Sequence, residues 1–175
     1  MTIQDDKLSL VEGNVVDSKA VEQAVEGSDL VISALGPTPD ANEMILAKGT
    51  ENIINAMKKN DVKRLIVESS CPLSGSPEGM AFLKGFGMTD DKIASVRPMI
   101  DDKIRQETIV RKSGLDWTIV RPLALTDGPK TGTYRAGETL NIKQTDNISR
   151  ADVADFMLKS AKDNKWVGKI VVVAY

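Results

Sequence analysis

The chain has 175 residues, enough for one domain with a real core, and it reads as a single domain over residues 1–175. A formal net charge of −2 and only 4% aromatic residues argue against nucleic-acid binding. With no histidine and one cysteine, Cys71, the chain has no His-based nucleophilic catalysis, no His-based metal site and no intrachain disulfide, and no metal is expected.

Strand-like and helix-like segments alternate along the chain. Residues 7–12 (KLSLVE) read as a strand ending at Gly13. A short helix is predicted from Asp17, its cap, to Glu26, with Val21, Ala24 and Val25 on one face and Gly27 as the stop. Residues 29–35 (DLVISAL) form a buried strand ended by Gly36-Pro37. A long helix follows from Asp40 to Lys59, where Asp40 and Glu43 resemble a capping box and Leu46, Ile53, Ile54 and Met57 share a stripe. The next strand is residues 62–68. Residues 73–99 lack clean periodicity, and so long a connection inside a domain is usually functional or mobile. Helix resumes near Asp101 and runs to Lys112, with Asp101-Asp102 at its N-terminus complementing the dipole. Residues 116–121 (DWTIVR) are a strand stopped by Pro122. Residues 126–147 are turn-rich, with a small hairpin expected around Thr133–Ala136 that packs Tyr134. A helix starts at Ser149 and Asp152, and residues 169–174 (KIVVVA) close the pattern as a strand.

This order implies an α/β fold of three layers, Rossmann-like, with a mainly parallel sheet of about five strands. No apolar run reaches the ~18–20 residues of a membrane span, and no signal-peptide pattern opens the chain. A cytoplasmic protein with no membrane or nucleic-acid partner is expected, and Cys71 reads as an inert buried thiol.

Several motifs resemble the atypical short-chain dehydrogenase/reductases with an NAD(P)H-binding domain, the group of the NmrA-like proteins and the biliverdin-IXβ and flavin reductases. The most specific is Ser113-Gly114-Leu115-Asp116-Trp117-Thr118-Ile119-Val120-Arg121-Pro122, similar to the family's sixth strand and the turn beside the nicotinamide. Gly13-Asn14-Val15-Val16-Asp17 resembles the turn that meets the adenine. Ser33-Ala34-Leu35-Gly36 resembles the small-residue turn passing the adenosine ribose and phosphates. Val67-Glu68-Ser69-Ser70 resembles the strand that delivers a serine to the active-site floor.

The resemblance implies cofactor contacts from Asn14, Val15, Ala34, Leu35, Gly36, Arg121, Pro122 and Leu123. It implies catalytic roles for Ser69, Ser70 and Lys103, and NADP or NAD as cofactor. It also implies hydride transfer to a small planar acceptor such as a flavin or quinone; a non-catalytic NmrA-like nucleotide sensor and an inactive fragment are the alternatives. Two departures stand out. Met99 occupies the position of the family's catalytic tyrosine. The family's N-terminal β-α-β unit, with its Gly-x-x-Gly-x-x-Gly turn, has no counterpart in the sequence, as in a shortened protein or a truncated gene model. That turn cradles the pyrophosphate, so weak cofactor binding is expected. The absent strands would also bare the sheet edge, to be covered by residues 7–12 sliding beside residues 29–35, by a second copy in a homodimer, or by both.

Overall fold

The structure, a computed structural model, describes residues 5–36 and 45–175. In chain order its elements are α1 (Ser18–Val25), β1 (Leu30–Ser33), α2 (Ile45–Lys59), β2 (Arg64–Glu68), α3 (Pro77–Gly85), α4 (Asp90–Ser95), α5 (Arg97–Arg111), β3 (Asp116–Pro122), β4 (Ala124–Thr126), β5 (Arg135–Gly137), β6 (Asn147–Ser149), α6 (Arg150–Lys162) and β7 (Lys169–Ala174). The main sheet has five strands in the order β1-β2-β3-β7-β5. Its first four are parallel, and β5 is antiparallel to β7. A second, two-stranded parallel sheet joins β4 to β6.

The alternation of side chains along the parallel strands makes the three layers. Val31, Leu65, Val67 and Ile119 face one way and pack with α1, α2 and Val110 of α5. Ile32, Ile66, Val120, Val171 and Val173 face the other way, onto Val153, Phe156 and Met157 of α6. Because the strands are parallel, Ser33, Glu68 and Pro122 end at the same edge, which is where an α/β sheet places its ligands.

The predicted helices at Asp17 and Ser149 form as read. Asp17 accepts from the amides of Lys19 and Ala20, and Ser149 Oγ accepts from Asp152 N at 3.0 Å. The Asp40–Glu43 capping box lies outside the described residues.

Three expectations are corrected. Residues 7–12 form no strand and do not slide beside β1. The Asp5 carboxylate and carbonyl take the amides of Lys7 (2.8 Å) and Leu8 (2.9 Å), which turns the chain where a strand should start, and the segment stays exposed. The hairpin around Thr133–Ala136 is replaced by long-range pairing: residues 135–137 complete the sheet against β7, with Arg135 anchored on the Tyr175 carbonyl and the Asp146 carboxylate. Residues 73–99 are helical, not a loose connection. Ser76 caps α3 and Thr89 caps α4. Gly79 allows α3 to lie on the turn after β2, since a Cβ there would stand 2.3 Å from the Cys71 carbonyl oxygen. Cys71 is buried, as expected.

Tyr134 packs as predicted: its ring meets Phe156 edge-on and its hydroxyl donates to Asp155 at 2.8 Å. Two carboxylates of α6 hold the segment before β5. Burial pushes the Asp152 pKa upward, but the Tyr175 hydroxyl, the Gly132 amide and the hydroxyl and amide of Thr131 reverse this and hold it below the ordinary carboxylate range. Lys159, with Tyr134, lowers Asp155 to about 2. Both groups are more acidic folded than unfolded, so their stabilisation is present above the ordinary carboxylate pKa and lost as pH falls through the folded values. Urea midpoints measured between pH 7 and about pH 2 should therefore fall steeply below about pH 4. Asp152→Asn should be less stable at neutral pH and show a flatter acid limb.

Candidate functional site

The common edge of the parallel strands carries two groups of residues, and α2 connects them. The first is built on a close approach. A Cβ on Gly49 would stand 2.7 Å from Val15 and 3.2 Å from Leu35, so the two turns predicted to meet the adenosine both rest on this glycine of α2. Asn52 secures the contact by donating to the Val15 carbonyl at 2.9 Å. Asn14 is exposed, and its Oδ1 accepts from Val16 N at 3.1 Å, leaving the amide group outward. Ala34 and Gly36 are exposed beside them.

The second group is built around a buried carboxylate. Glu107, 4% exposed, receives Nε of Arg121 on Oε1 at 2.9 Å and Nη2 on Oε2 at 2.6 Å. The Ser69 hydroxyl donates to the same Oε1 at 2.6 Å. One helix side chain thus fixes the exits of two neighbouring strands, whose own ladder continues through Ser69 N to the Val120 carbonyl at 2.7 Å. One turn earlier on α5, Lys103 is also 4% exposed. Burial pushes the Lys103 ammonium below the usual lysine range, while Glu68, Glu107 and Asp102 pull it back up. Burial raises the Glu68 carboxyl, opposed by Lys103 and Arg150.

Asp102 acts elsewhere than its place in the sequence suggested. The helix begins at Arg97, four residues earlier than predicted, so Asp102 lies in its second turn. There it accepts the amides of Leu46 and Ala47 of α2, each at 3.0 Å. Gln106 adds a bond to Thr50 Oγ1 at 3.2 Å.

The structure therefore brings Ser69, Lys103 and Arg121 together around Glu107, and Val15 and Leu35 together over Gly49. The proton of Ser69 is committed to Glu107. Ser70 differs: its Oγ accepts from Leu73 N at 3.4 Å, and among the described residues no acceptor takes its proton. Pro122 is buried at the end of β3. The Leu123 side chain lies in a cluster with Cys71, Phe82 and Val172, so only its backbone faces the strand ends. The same cluster carries Leu140 and Ile142 against it, so the two segments without periodicity, 73–99 and 126–147, pack on each other next to the site.

Sequence reading missed Glu107, Asp102 and Gln106 as site builders. The available signal was two i, i+4 pairs, Asp102 with Gln106 and Lys103 with Glu107, on a helix otherwise poor in apolar residues. It also missed Ser33. Ser33 Oγ and Gln106 Oε1 are buried without a hydrogen-bond partner among the described residues, and such orphaned groups call for an explanation.

The edge thus carries an exposed amide beside two apolar turns at one end, and hydroxyls with a buried lysine at the other. Among the described residues no cluster of His, Cys, Asp and Glu suits a metal ion, and no helix is long and apolar enough to cross a membrane.

The chain resembles known proteins in sequence and in fold. A family model described as NAD(P)H-binding matches residues 1–164. An uncharacterized chloroplastic protein of Arabidopsis thaliana is 28% identical over 97% of the chain, and the chain spans 61% of that relative's length. An anaerobilin reductase of Escherichia coli O157:H7, ChuY, superposes with a TM-score of 0.71 at 21% identity, over 92% of this chain and 72% of its own. A short-chain dehydrogenase/reductase of Veillonella parvula, solved in complex with NADP, gives 0.71 at 22% identity, over 98% and 74%.

Removing the buried partner of a charged group is costly, about 3–5 kcal/mol when one member of a buried ion pair is deleted. Glu107→Ala should lose stability of that order in urea unfolding at pH 7. Glu107→Gln, which keeps an acceptor for Ser69 or Arg121, should lose less.

Proposed function

The chain belongs to the NAD(P)H-binding family, and from that premise we propose that it carries the acceptor-binding and nicotinamide end of an oxidoreductase whose substrate is a small planar molecule of flavin or quinone type. The observation that carries this reading is the Ser69–Ser70–Lys103 group at the strand ends, held by Glu107 and roofed by the mutually packed segments around Phe82 and Leu140. A bound nicotinamide would supply the hydride. The Ser70 hydroxyl, its proton unclaimed, orients an acceptor carbonyl and stabilises the negative charge that develops on it. Lys103 adds a buried positive charge at the same end and donates to ribose hydroxyls. Ser69 sets the position of Ser70 through its bond to Glu107. Met99 supplies no acid, so the proton comes from solvent or from Lys103.

Affinity is the weak point of this arrangement. Each missing backbone hydrogen bond to a charged phosphate is worth about 1.5–3 kcal/mol, so the chain alone binds NADP(H) poorly. Titration calorimetry with NADPH should give no binding near 1 μM, the equivalent of about −8 kcal/mol; a constant that tight or tighter refutes the weak-binding reading.

Turnover tests the activity. NADPH oxidation with flavin or quinone acceptors is measured on this chain and on one with a glycine-rich strand–turn–helix added ahead of it. Activity only in the extended chain is expected, and Ser70→Ala in that background should lower kcat by about 10²-fold. The competing reading is a nucleotide sensor of NmrA-like type, favoured by Met99 in place of an acid. It predicts tight binding without turnover in the extended chain. Neither binding nor turnover in either chain would mean an inactive fragment. The lone buried thiol suits a reducing compartment, which we take to be the cytosol.

A further inference from the structure

A cavity of about 370 Å3 lies on the α6 side of the sheet, between that helix and the segment leading into β5. Its size is that of a small-molecule site. Three rings form its apolar wall. Phe156 is the middle one, with Tyr134 edge-on to it at 6.0 Å between centroids and Trp166 tilted to it at 6.2 Å. Phe156 belongs to the core on this face, and the two outer rings pack against that core. The Thr118 hydroxyl donates to the Trp166 carbonyl at 2.7 Å, and the Tyr134 hydroxyl donates to Asp155 at 2.8 Å, so both outer residues are also held by hydrogen bonds.

Positive charge gathers at this wall. Lys159 Nζ stands 5.3 Å from the centre of the Tyr134 ring, and Lys165 Nζ stands 4.5 Å from that of Trp166. Lys159 and Lys130 both pair with Asp155, at 2.6 and 3.3 Å. Asp163 also lines the cavity, but it accepts the backbone amide of Lys165, at 3.0 Å, and the Lys165 ammonium has no ion pair among the described residues. Three ammonium groups thus stand against two carboxylates, and the excess is positive. An ammonium resting on a ring face keeps its N–H donors available to an anion. Lys165 and Trp166 precede the start of β7, so this wall lies toward the opposite end of the sheet from Ser69 and Ser70.

We propose that this cavity is a second small-molecule site, and that its ligand is a planar aromatic carboxylate. The ligand ring lies over Phe156 between Tyr134 and Trp166, stacked or edge-on as aromatic pairs prefer. Its carboxylate meets the ammonium of Lys165, which no carboxylate of the described residues neutralises. A cationic ligand would find a lysine already over each outer ring, and a neutral one would leave Lys165 unpaired, so the charge of the wall selects the anion.

Naphthoate and its neutral counterpart naphthamide are the probes. Titrated into the whole chain, naphthoate should shift the indole N–H proton resonance of Trp166 saturably, with Trp117→Phe used to assign that resonance. Naphthamide should bind at least about fivefold more weakly. Lys165→Gln should weaken naphthoate binding by about threefold to fivefold, as loss of an exposed ion pair does, with an unchanged circular dichroism spectrum. Ser70→Ala should bind naphthoate as the parent chain does. A shift that never saturates overturns the proposal, as does equal binding of carboxylate and amide or a Lys165→Gln chain that binds like the parent. Loss of naphthoate binding in Ser70→Ala overturns it too, because the ligand would then sit at the strand ends.

Discussion

The strand ends on the β2–β3 side of the sheet depend on the buried carboxylate of Glu107. It touches the exits of both β2 and β3 with three hydrogen bonds, two of them from a guanidinium in a bidentate arrangement. Arg121 is thereby tied to the helix layer, and Ser69 donates its proton to the same carboxylate. The remaining polar face of α5 extends the same logic, for Asp102 holds the amides of α2 while Gln106 reaches Thr50. This helix joins sheet and neighbouring helix through charge and hydrogen bonds where most helices use apolar packing.

That choice explains what the sequence could not show. The buried side of α5 reads Ile100, Asp102, Lys103, Gln106, Glu107, Val110, so an apolar period of 3.6 is absent although the residues are inside. The central strands and α6 were legible because apolar runs of strand length between turn residues, and a capped amphipathic stretch, have few alternative readings. Helices of nine and six residues, α3 and α4, are too short to show a period. The pairing of residues 135–137 with β7 depends on residues nearly forty positions away. Residues 7–12 carry the alternation of a strand, but alternation says only that a strand would be amphipathic, and pairing needs a neighbour. At the site, the serines and Lys103 came from family resemblance. Glu107 and Asp102 act across 14–56 residues of sequence, and only the fold reveals them.

Two groups of residues lie at the common edge of the parallel strands. Val15 and Leu35 meet over Gly49, and the Glu107 group sits at β2 and β3; α2 spans the distance between them through its contacts with both. Both are held by packing and hydrogen bonds within the chain, and contacts of this kind lower the ordering cost of binding.

The small cluster of Leu83, Ile93 and Ile100, with Met80, Met88 and Leu73 around it, stands apart from the two cores that clamp the sheet. A unit resting on three buried apolar side chains opens with a free energy below that of the whole domain. This segment is therefore among the first parts of the fold to open. On the proposed function, changes in residues 77–95 retune which acceptor is admitted while the sheet keeps its stability, so selectivity has room to drift in evolution under little constraint from folding.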